Sequence, residues 1–228
     1  MTLEAAFDAL ARSMPGTVGV AIASVGAEPI SFGEWSNGVA WSTSKVPLAI
    51  AAVRAGSASS DQLFAAITRS DNAAAEELWS GLGDAASRLV QSVIREAGDS
   101  ITEVESRRLR AEYTPFGQTR WSLADQARFA AGLPNVPEAS RVIDLMRQLS
   151  TGHCWGLAAN GFAAKGGWGP GVVGDYLVRQ FAVLPTKSRS VGIALAADAR
   201  DGVLETGIDL INRLADWLLE HLHELTLD

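Results

Sequence analysis

Two lysines lie in short segments that could place a titratable amine beside a serine or a ligand. The chain has three lysines against sixteen arginines, so arginine is its usual cation. Lys45 ends Ser42-Thr43-Ser44-Lys45, and Lys165 opens Lys165-Gly166-Gly167. A guanidinium stays protonated in proteins, whereas a lysine amine can lose its proton when it is desolvated or placed beside another cation. Lysine at these two positions therefore indicates chemistry that arginine cannot perform.

The spacing of Ser42 and Lys45 puts both side chains on one face of the helix that they begin. A serine hydroxyl is a poor nucleophile until an adjacent base takes its proton. Lys45 can be that base if burial and a second cation, for which Lys165 is the candidate, lower its pKa. The alternative is a serine helix cap followed by a solvated lysine. The apolar residues directly after Lys45 argue against solvation.

The segment Ser70-Asp71-Asn72 directly precedes a run of helix-forming residues. One interpretation is a helix N-terminus with an Asp or Asn cap. The functional interpretation makes Ser70 a proton-shuttle hydroxyl and Asn72 an amide that contacts substrate, with Asp71 bracing the turn by hydrogen bonds. Both interpretations place the segment at the start of a helix.

The segment Lys165-Gly166-Gly167 follows the apolar residues 162–164, so we expect the glycines to continue a strand. Glycines in a strand allow a ligand or another backbone to approach closely. The alternative is a β-bulge.

Periodicity divides the chain into helical and extended segments. We predict helices over 3–14, 46–55, 61–98 with a break near 81–83, a helix from Ser122, and helices at about 138–149 and 205–225. We predict strands over 17–25, 29–35, 161–165, 175–184 and 190–198, and a long surface loop over 99–121. This order favours an antiparallel sheet built from both chain ends with an inserted helical lobe. It predicts one domain, 1–228, with a sheet lobe (about 1–41 and 160–228), a helical lobe (about 42–159) and a cleft between them.

Composition excludes several classes of partner. The net charge of −7 and a pI of about 5.0 argue against nucleic acid and anionic membranes. Cys154 is the only cysteine, so no disulfide forms within the chain, and three histidines give no convincing metal site. We expect no cofactor, no transmembrane segment and a monomer. No export signal is present, which indicates the cytoplasm for the sequence as written and an extracytoplasmic location if it is trimmed.

The three motifs, in this order, resemble the marks of the serine β-lactamases and penicillin-binding DD-peptidases, Ser-x-x-Lys, Ser-Asp-Asn and Lys-Thr/Ser-Gly. The resemblance covers nearly the whole chain. Residues 63–78 are similar to the helix that carries the second motif in class A enzymes, and 166–169 with 176–184 are similar to the active-site strand and its neighbour. It implies an α/β (α+β) fold: a five-stranded antiparallel sheet flanked by terminal helices, with a reduced inserted helical lobe.

The resemblance also implies roles for eight residues. By this resemblance Ser42 is the acylated nucleophile and Lys45 is its base. Ser70 relays a proton to the leaving group, and Lys165 anchors the substrate carboxylate. Substrate contacts fall to Asn72, Gly166, Gly167 and Trp168. The backbone N–H groups of Ser42 and Trp168 would form the oxyanion hole.

The chain departs from the family in three places. Ser70 lies only 25 positions after Lys45, so the helical lobe is short. Gly166 replaces a Thr or Ser, which should weaken the binding of penicillin-like acids. The place of the water-activating glutamate holds Arg107-Arg108, and we interpret the nearest carboxylates, Glu105 and Glu112, as solvated loop charges. An acyl-enzyme formed with a β-lactam should therefore hydrolyse slowly.

Several other residues have structural interpretations. Trp41, Trp155 and Trp168 could line the cleft, although tryptophans are more often packing residues. Cys154 is expected to be a small buried hydrophobe. Arg120 and Arg179 are candidates to supplement a carboxylate site, but we assign them no role.

Two functions remain open from the sequence. The leading hypothesis is a serine hydrolase that acts on an amide or ester of a small-molecule or peptide-like substrate through an acyl-enzyme. DD-peptidase-like, esterase-like, weak β-lactamase-like and glutaminase activities fit this chemistry. The alternative is a catalytically idle relative that binds a ligand or partner in the same cleft.

Overall fold

The computed structural model describes residues 2–185 and 190–225. The helices in this part of the chain are α1 Leu3–Arg12, α2 Lys45–Arg54, α3 Ser60–Thr68, α4 Asn72–Gly81, α5 Ala86–Glu96, α6 Leu123–Gly132, α7 Ala139–Met146, α8 Leu204–Glu220 and α9 Leu222–Leu225. The strands are β1 Gly16–Ser24, β2 Ile30–Gly33, β3 Asn37–Val39, β4 Arg120–Ser122, β5 Ala163–Pro170, β6 Tyr176–Pro185 and β7 Ser190–Ala199.

Five strands form one antiparallel sheet in the order β2-β1-β7-β6-β5. Strand β1 pairs with β7 from Gly16↔Ala199 to Ser24↔Val191, so the first and last parts of the chain meet in the middle of the sheet. Strand β5 pairs only with β6 and lies at the edge. The predicted five-stranded antiparallel sheet is confirmed, and its edge strand carries Lys165.

Both faces of the sheet are buried because helices cover each of them. Side chains alternate along β6, with Val178 and Ala182 packing on one side and Leu177 and Phe181 on the other. The terminal helices α1 and α8 cover the first side, where Phe7 lies 5.0 Å from the Trp217 ring centroid. Helices from the middle of the chain cover the second.

Helix α2 is buried along most of its length, from Lys45 to Ala52, as the apolar sequence predicts. Pro47 lies in its first turn, where a missing N–H costs nothing. The α-helix begins at Lys45, and Ser42 lies in the 3₁₀ turn Trp41–Ser44 directly before it.

The segment that periodicity predicted as helical over 61–98 is broken twice. The first break, at Ser70-Asp71-Asn72, agrees with the helix start assigned to this motif but was not predicted by periodicity. Helix α3 ends at Thr68, Ser70 takes a left-handed φ of 54°, and Asp71 caps α4 by accepting from the Ala74 N–H at 2.8 Å. The Asp71 cap was one of the two interpretations of this segment. The left-handed conformation of Ser70, directly before the cap, was not predicted because helical propensity alone does not indicate it.

Other boundaries also differ from the prediction. The segment 99–121, predicted to be a loop, ends in β4, which pairs with β3 through Gly38↔Trp121. Strand β5 continues through Gly166 and Gly167, as expected, and ends three residues later at Pro170. The predicted last helix is interrupted at His221. None of the helices in the described ranges has both the length and the hydropathy needed to cross a membrane.

Candidate active site

The turn that carries Ser42 is held by hydrogen bonds from its own side chains. The Thr43 hydroxyl donates to the Ala40 carbonyl at 2.5 Å, and the Ser44 hydroxyl donates to the Trp41 carbonyl at 2.7 Å. Gln126 of α6 donates to the Thr43 hydroxyl at 3.0 Å. Trp41 has a φ of 51°, a conformation that costs a non-glycine residue about 1–2 kcal/mol. These contacts fix the backbone on both sides of Ser42.

Lys45 is 1% exposed and its amine is directed at the second motif. Its Nζ donates to the Asn72 Oδ1 at 2.7 Å and to the Ser70 carbonyl, and lies 3.5 Å from the Ser70 hydroxyl. Desolvation lowers the pKa of Lys45 to about 7, against the opposing effect of the Asp71 carboxylate. The amine is therefore neutral in a large fraction of molecules near neutral pH.

Lys165 lies on β5 and is also 1% exposed. Its Nζ donates to the Ser70 Oγ and to the Gly166 carbonyl, both at 2.8 Å. Burial, and to a lesser degree the nearby Lys45 amine, hold the pKa of Lys165 well below its ordinary value. Both lysines singled out by the sequence thus approach the same serine hydroxyl.

Gly167 allows β5 to lie directly against the Ser42 turn. A β-carbon at this position would lie 2.7 Å from the Ser42 nitrogen and 2.9 Å from both the Thr43 nitrogen and the Ala40 oxygen. Any larger residue would have to push the strand away from the turn. The strand continues through the glycines, as expected. The close approach that Gly167 allows is between the backbone of β5 and the backbone of the Ser42 turn.

Gly166 has a different neighbour, the ring of Trp155. A β-carbon at Gly166 would lie 2.6 Å from Trp155 Cζ2. Trp155 is 6% exposed and packs in the cluster under the terminal helices. The Trp155 ring therefore occupies the space that a side chain at position 166 would need, a pairing that no local sequence pattern indicates.

A cavity of about 250 Å³ opens between α2, α4, the 112–117 segment and β5. It is lined by Trp41, Ser42, Lys45, Asn72, Ala73, Glu76, Glu112, Tyr113, Thr114, Phe116, Gly117 and Trp168. Of the eight residues given roles from the sequence, four line this cavity. The other four are not among the lining residues: Ser70, Lys165, Gly166 and Gly167.

The Ser42 hydroxyl makes no hydrogen bond to Lys45 within the described residues, because the Lys45 amine is engaged by Ser70 and Asn72. The two residues are nevertheless one helical turn apart and line the same cavity. Contacts between a nucleophile and its base are often long in the absence of substrate.

The two carboxylates considered for water activation have different surroundings. Glu105 is outside the cavity lining, and its Oε1 accepts from the Arg107 backbone N–H at 2.9 Å and from the Arg107 guanidinium at 3.1 Å. These hydrogen bonds lower the pKa of Glu105. Glu112 is exposed but lines the cavity, which the sequence did not indicate because the surrounding loop has no periodic pattern.

Trp168 lines the cavity and stacks on His153, with ring centroids 5.2 Å apart. Burial, and then the charges of Lys165 and Lys45, lower the pKa of His153. The prediction for Cys154 is wrong, because this residue is exposed. It follows the short turn 151–153, and the next residue, Trp155, takes the buried position instead.

Arg179 is fully buried and serves the fold rather than the cavity. Its guanidinium donates to the Trp121 carbonyl at 3.1 Å and to Gln126 Oε1 at 2.9 Å, and also to the carbonyls of Gly38 and Val39. Desolvation lowers the pKa of Arg179 to about 9. Arg120 is exposed. Within the described ranges, no group of three or more His, Cys, Asp and Glu residues is placed to hold a metal ion.

Solved β-lactamases have a similar fold. A β-lactamase from Burkholderia vietnamiensis superimposes with a TM-score of 0.71 at 17% identity, covering 98% of this chain and 97% of its own. A class A β-lactamase from Mycobacterium abscessus gives 0.71 at 16% identity, with coverages of 97% and 100%. The TLA-3 extended-spectrum β-lactamase gives 0.75 at 12% identity, with coverages of 96% and 98%.

No family model matches the sequence, and no curated protein matches it. The similarity is therefore one of structure, at identities that show the fold alone. It confirms the resemblance inferred from the three motifs at that level. The chain has the serine β-lactamase fold of the class A enzymes.

Proposed function

We propose that the chain is a serine hydrolase that forms a covalent acyl-enzyme on Ser42 with an amide or ester substrate. The observation that supports this most directly is the environment of Lys45. Its amine is buried, its pKa is about 7, and it lies one helical turn from a serine that lines the same cavity. A neutral amine beside a hydroxyl is the requirement for a lysine general base.

In the first step the neutral Lys45 amine takes the Ser42 proton as Oγ attacks the substrate carbonyl carbon. The carbonyl π bond opens, and the negative charge develops on the substrate oxygen. Backbone N–H groups of Ser42 and Trp168 would stabilise that charge. The close packing of Gly167 on the Ser42 turn brings the two backbone segments together and supports this assignment.

In the second step the bond from carbon to the leaving nitrogen or oxygen breaks and the leaving atom takes a proton. Ser70 would donate its hydroxyl proton and receive one from the Lys45 ammonium, which regenerates the neutral amine. The Lys165 contact at 2.8 Å orients the Ser70 hydroxyl for this transfer. The electron pair on the substrate oxygen re-forms the carbonyl double bond, the leaving group departs with the Ser70 proton, and the proton that left Ser42 ends on Ser70.

Hydrolysis of the acyl-enzyme needs an activated water. The Glu105 carboxylate is engaged by Arg107 and lies outside the cavity lining. Glu112 lines the cavity but is exposed to solvent, and we assign it no role as the base. We therefore propose that an acyl-enzyme formed with a β-lactam is released slowly.

The rival function is a catalytically idle protein that binds a ligand in the same cavity. It is favoured by the engagement of the Lys45 amine with Ser70 and Asn72 rather than with the Ser42 hydroxyl. It is also favoured by Gly166, where Trp155 fills the place of a hydroxyl residue. The buried, neutral lysine beside Ser42 weighs against it.

Intact-mass spectrometry tests the proposal, with a fluorophosphonate, a penicillin and a chromogenic cephalosporin as reagents. We expect an adduct on the natural protein and on Ser106→Ala, an exposed control serine, and none on Ser42→Ala. No adduct on the natural protein, under conditions that label a known enzyme, would refute the nucleophile and support the idle protein. An adduct that persists in Ser42→Ala would refute the assignment to Ser42.

A further inference from the structure

The charged side chains that line the cavity differ in whether they already have a partner in the protein. Among the described lining residues, three carry ionisable acid or amine groups: Lys45, Glu76 and Glu112. Glu76 is paired with Arg108 at 2.6 Å. Glu112 is exposed and makes no hydrogen bond or ion pair with any residue in the described part of the chain. The carboxylate of Glu112 is therefore the lining charge left free for a ligand.

The positive groups near the cavity are occupied. Lys45 and Lys165 are each 1% exposed, and both amines are already donors to groups of the protein. The Arg110 guanidinium donates to the Pro170 carbonyl at 2.8 Å and stacks on the Tyr113 ring at 4.4 Å. No cationic side chain in the described lining is presented to a substrate carboxylate.

Four aromatic side chains, Trp41, Tyr113, Phe116 and Trp168, also line the cavity. Phe116 is fully buried, and the Arg110 guanidinium already lies over the Trp41 and Tyr113 rings. The half-buried Trp168 is therefore the aromatic side chain of the described lining that is left for a ligand. The ring face of an indole attracts a cation, and a quaternary ammonium ligand suits an aromatic wall because it needs no hydrogen bond. A free carboxylate and an indole ring that line the same cavity favour a positively charged group over a neutral one of the same shape.

We propose that the cavity recognises an acyl group that carries a positive charge, with Glu112 as the anionic contact and the Trp168 ring as the aromatic contact. The inference rests on the proposed function for the position of the scissile bond, near Ser42. The chain would therefore prefer cationic acyl substrates to acidic ones such as penicillins.

Two sets of probes test this inference. The first set is three p-nitrophenyl esters with the same five-methylene spacer: 6-(trimethylammonio)hexanoate, its neutral isostere 7,7-dimethyloctanoate, and the anionic monoester of heptanedioate. We expect kcat/KM to be about fivefold higher for the cationic ester than for the neutral one, and lowest for the anion. Added salt should reduce the ratio, because an exposed charge is screened.

Glu112→Gln should bring the ratio of cationic to neutral ester close to one. Glu103→Gln is the matched control, because Glu103 is exposed in the same segment and lies outside the cavity lining; it should keep the ratio of the natural protein. An equal loss on all three esters in Glu112→Gln would overturn the inference, since a lost catalytic base would act on every substrate alike.

The second set keeps the inference testable if no ester is turned over. Binding of the cationic amide 6-(trimethylammonio)hexanamide and of neutral 7,7-dimethyloctanamide to Ser42→Ala is followed by tryptophan fluorescence, since Trp41 and Trp168 line the cavity. Tighter binding of the cation, lost in Glu112→Gln, would support the inference even where the hydrolase proposal fails. Equal or weaker binding of the cation would overturn it even where Ser42 is acylated.

Discussion

The Lys165 amine donates to the Ser70 hydroxyl at 2.8 Å, across 95 positions of sequence. Lys165 is 1% exposed and is not among the residues that line the cavity, so its amine is not presented to a substrate carboxylate. The geometry therefore favours a role for Lys165 in orienting Ser70 over a role in anchoring an acid.

The rate of adduct formation should depend on the protonation of Lys45. Burial lowers the pKa of Lys45 to about 7, so the base becomes neutral as the pH rises through this value. We expect the acylation rate to rise between about pH 6 and 8 and then to level off. Stopped samples analysed by intact mass give the profile. Lys45→Arg should lower the plateau at least about 100-fold, because a guanidinium stays protonated. A flat profile in the natural protein would contradict Lys45 as the base.

Gly167→Ala should reduce acylation by about 100-fold, because the new β-carbon would meet backbone atoms of the Ser42 turn at 2.7–2.9 Å. The fluorophosphonate labelling rate measures this effect. Gly152→Ala is the control, since a β-carbon there has no neighbour within 4 Å. Equal labelling rates of the two variants would show that the close approach of β5 is not needed for the chemistry.

Glu105→Gln should leave deacylation unchanged within about twofold, because the carboxylate is held by Arg107 outside the cavity lining. The decay of the penicillin adduct, followed by mass, is the measurement. A decay at least tenfold slower in the variant would identify Glu105 as the water-activating base. Steady turnover of the cephalosporin by the natural protein would contradict slow deacylation itself.

Arg179→Met should destabilise the fold by about 3 kcal/mol, because it leaves three backbone carbonyls and Gln126 without their buried donor. Urea unfolding of the variant gives the free energy. Arg120→Met, at an exposed position, should change it by no more than about 0.5 kcal/mol. Similar losses in the two variants would refute the structural role of Arg179.

Much of the fold followed from local sequence patterns. The apolar run after Lys45 predicted a buried helix, and alternation and β-branching predicted the strands that became β1, β6 and β7. The break before α4 was not predicted by periodicity because it depends on Ser70 in a left-handed conformation, held by contacts with Lys45 and Lys165. Contacts so distant in sequence leave no periodic pattern.

In the candidate site, too, some features were predictable from local sequence and others depend on tertiary contacts. The sequence by itself determined which residue types could do the chemistry. It has a serine three positions before a lysine, and it has lysine at two motif positions although arginine is its usual cation. Only the tertiary structure decided that both amines approach Ser70 and that Glu112 lines the cavity. Spacing along one helix fixes local neighbours, whereas the meeting of α2, α4 and β5 depends on how the sheet and helices pack. That packing also buried Arg179 and exposed Cys154.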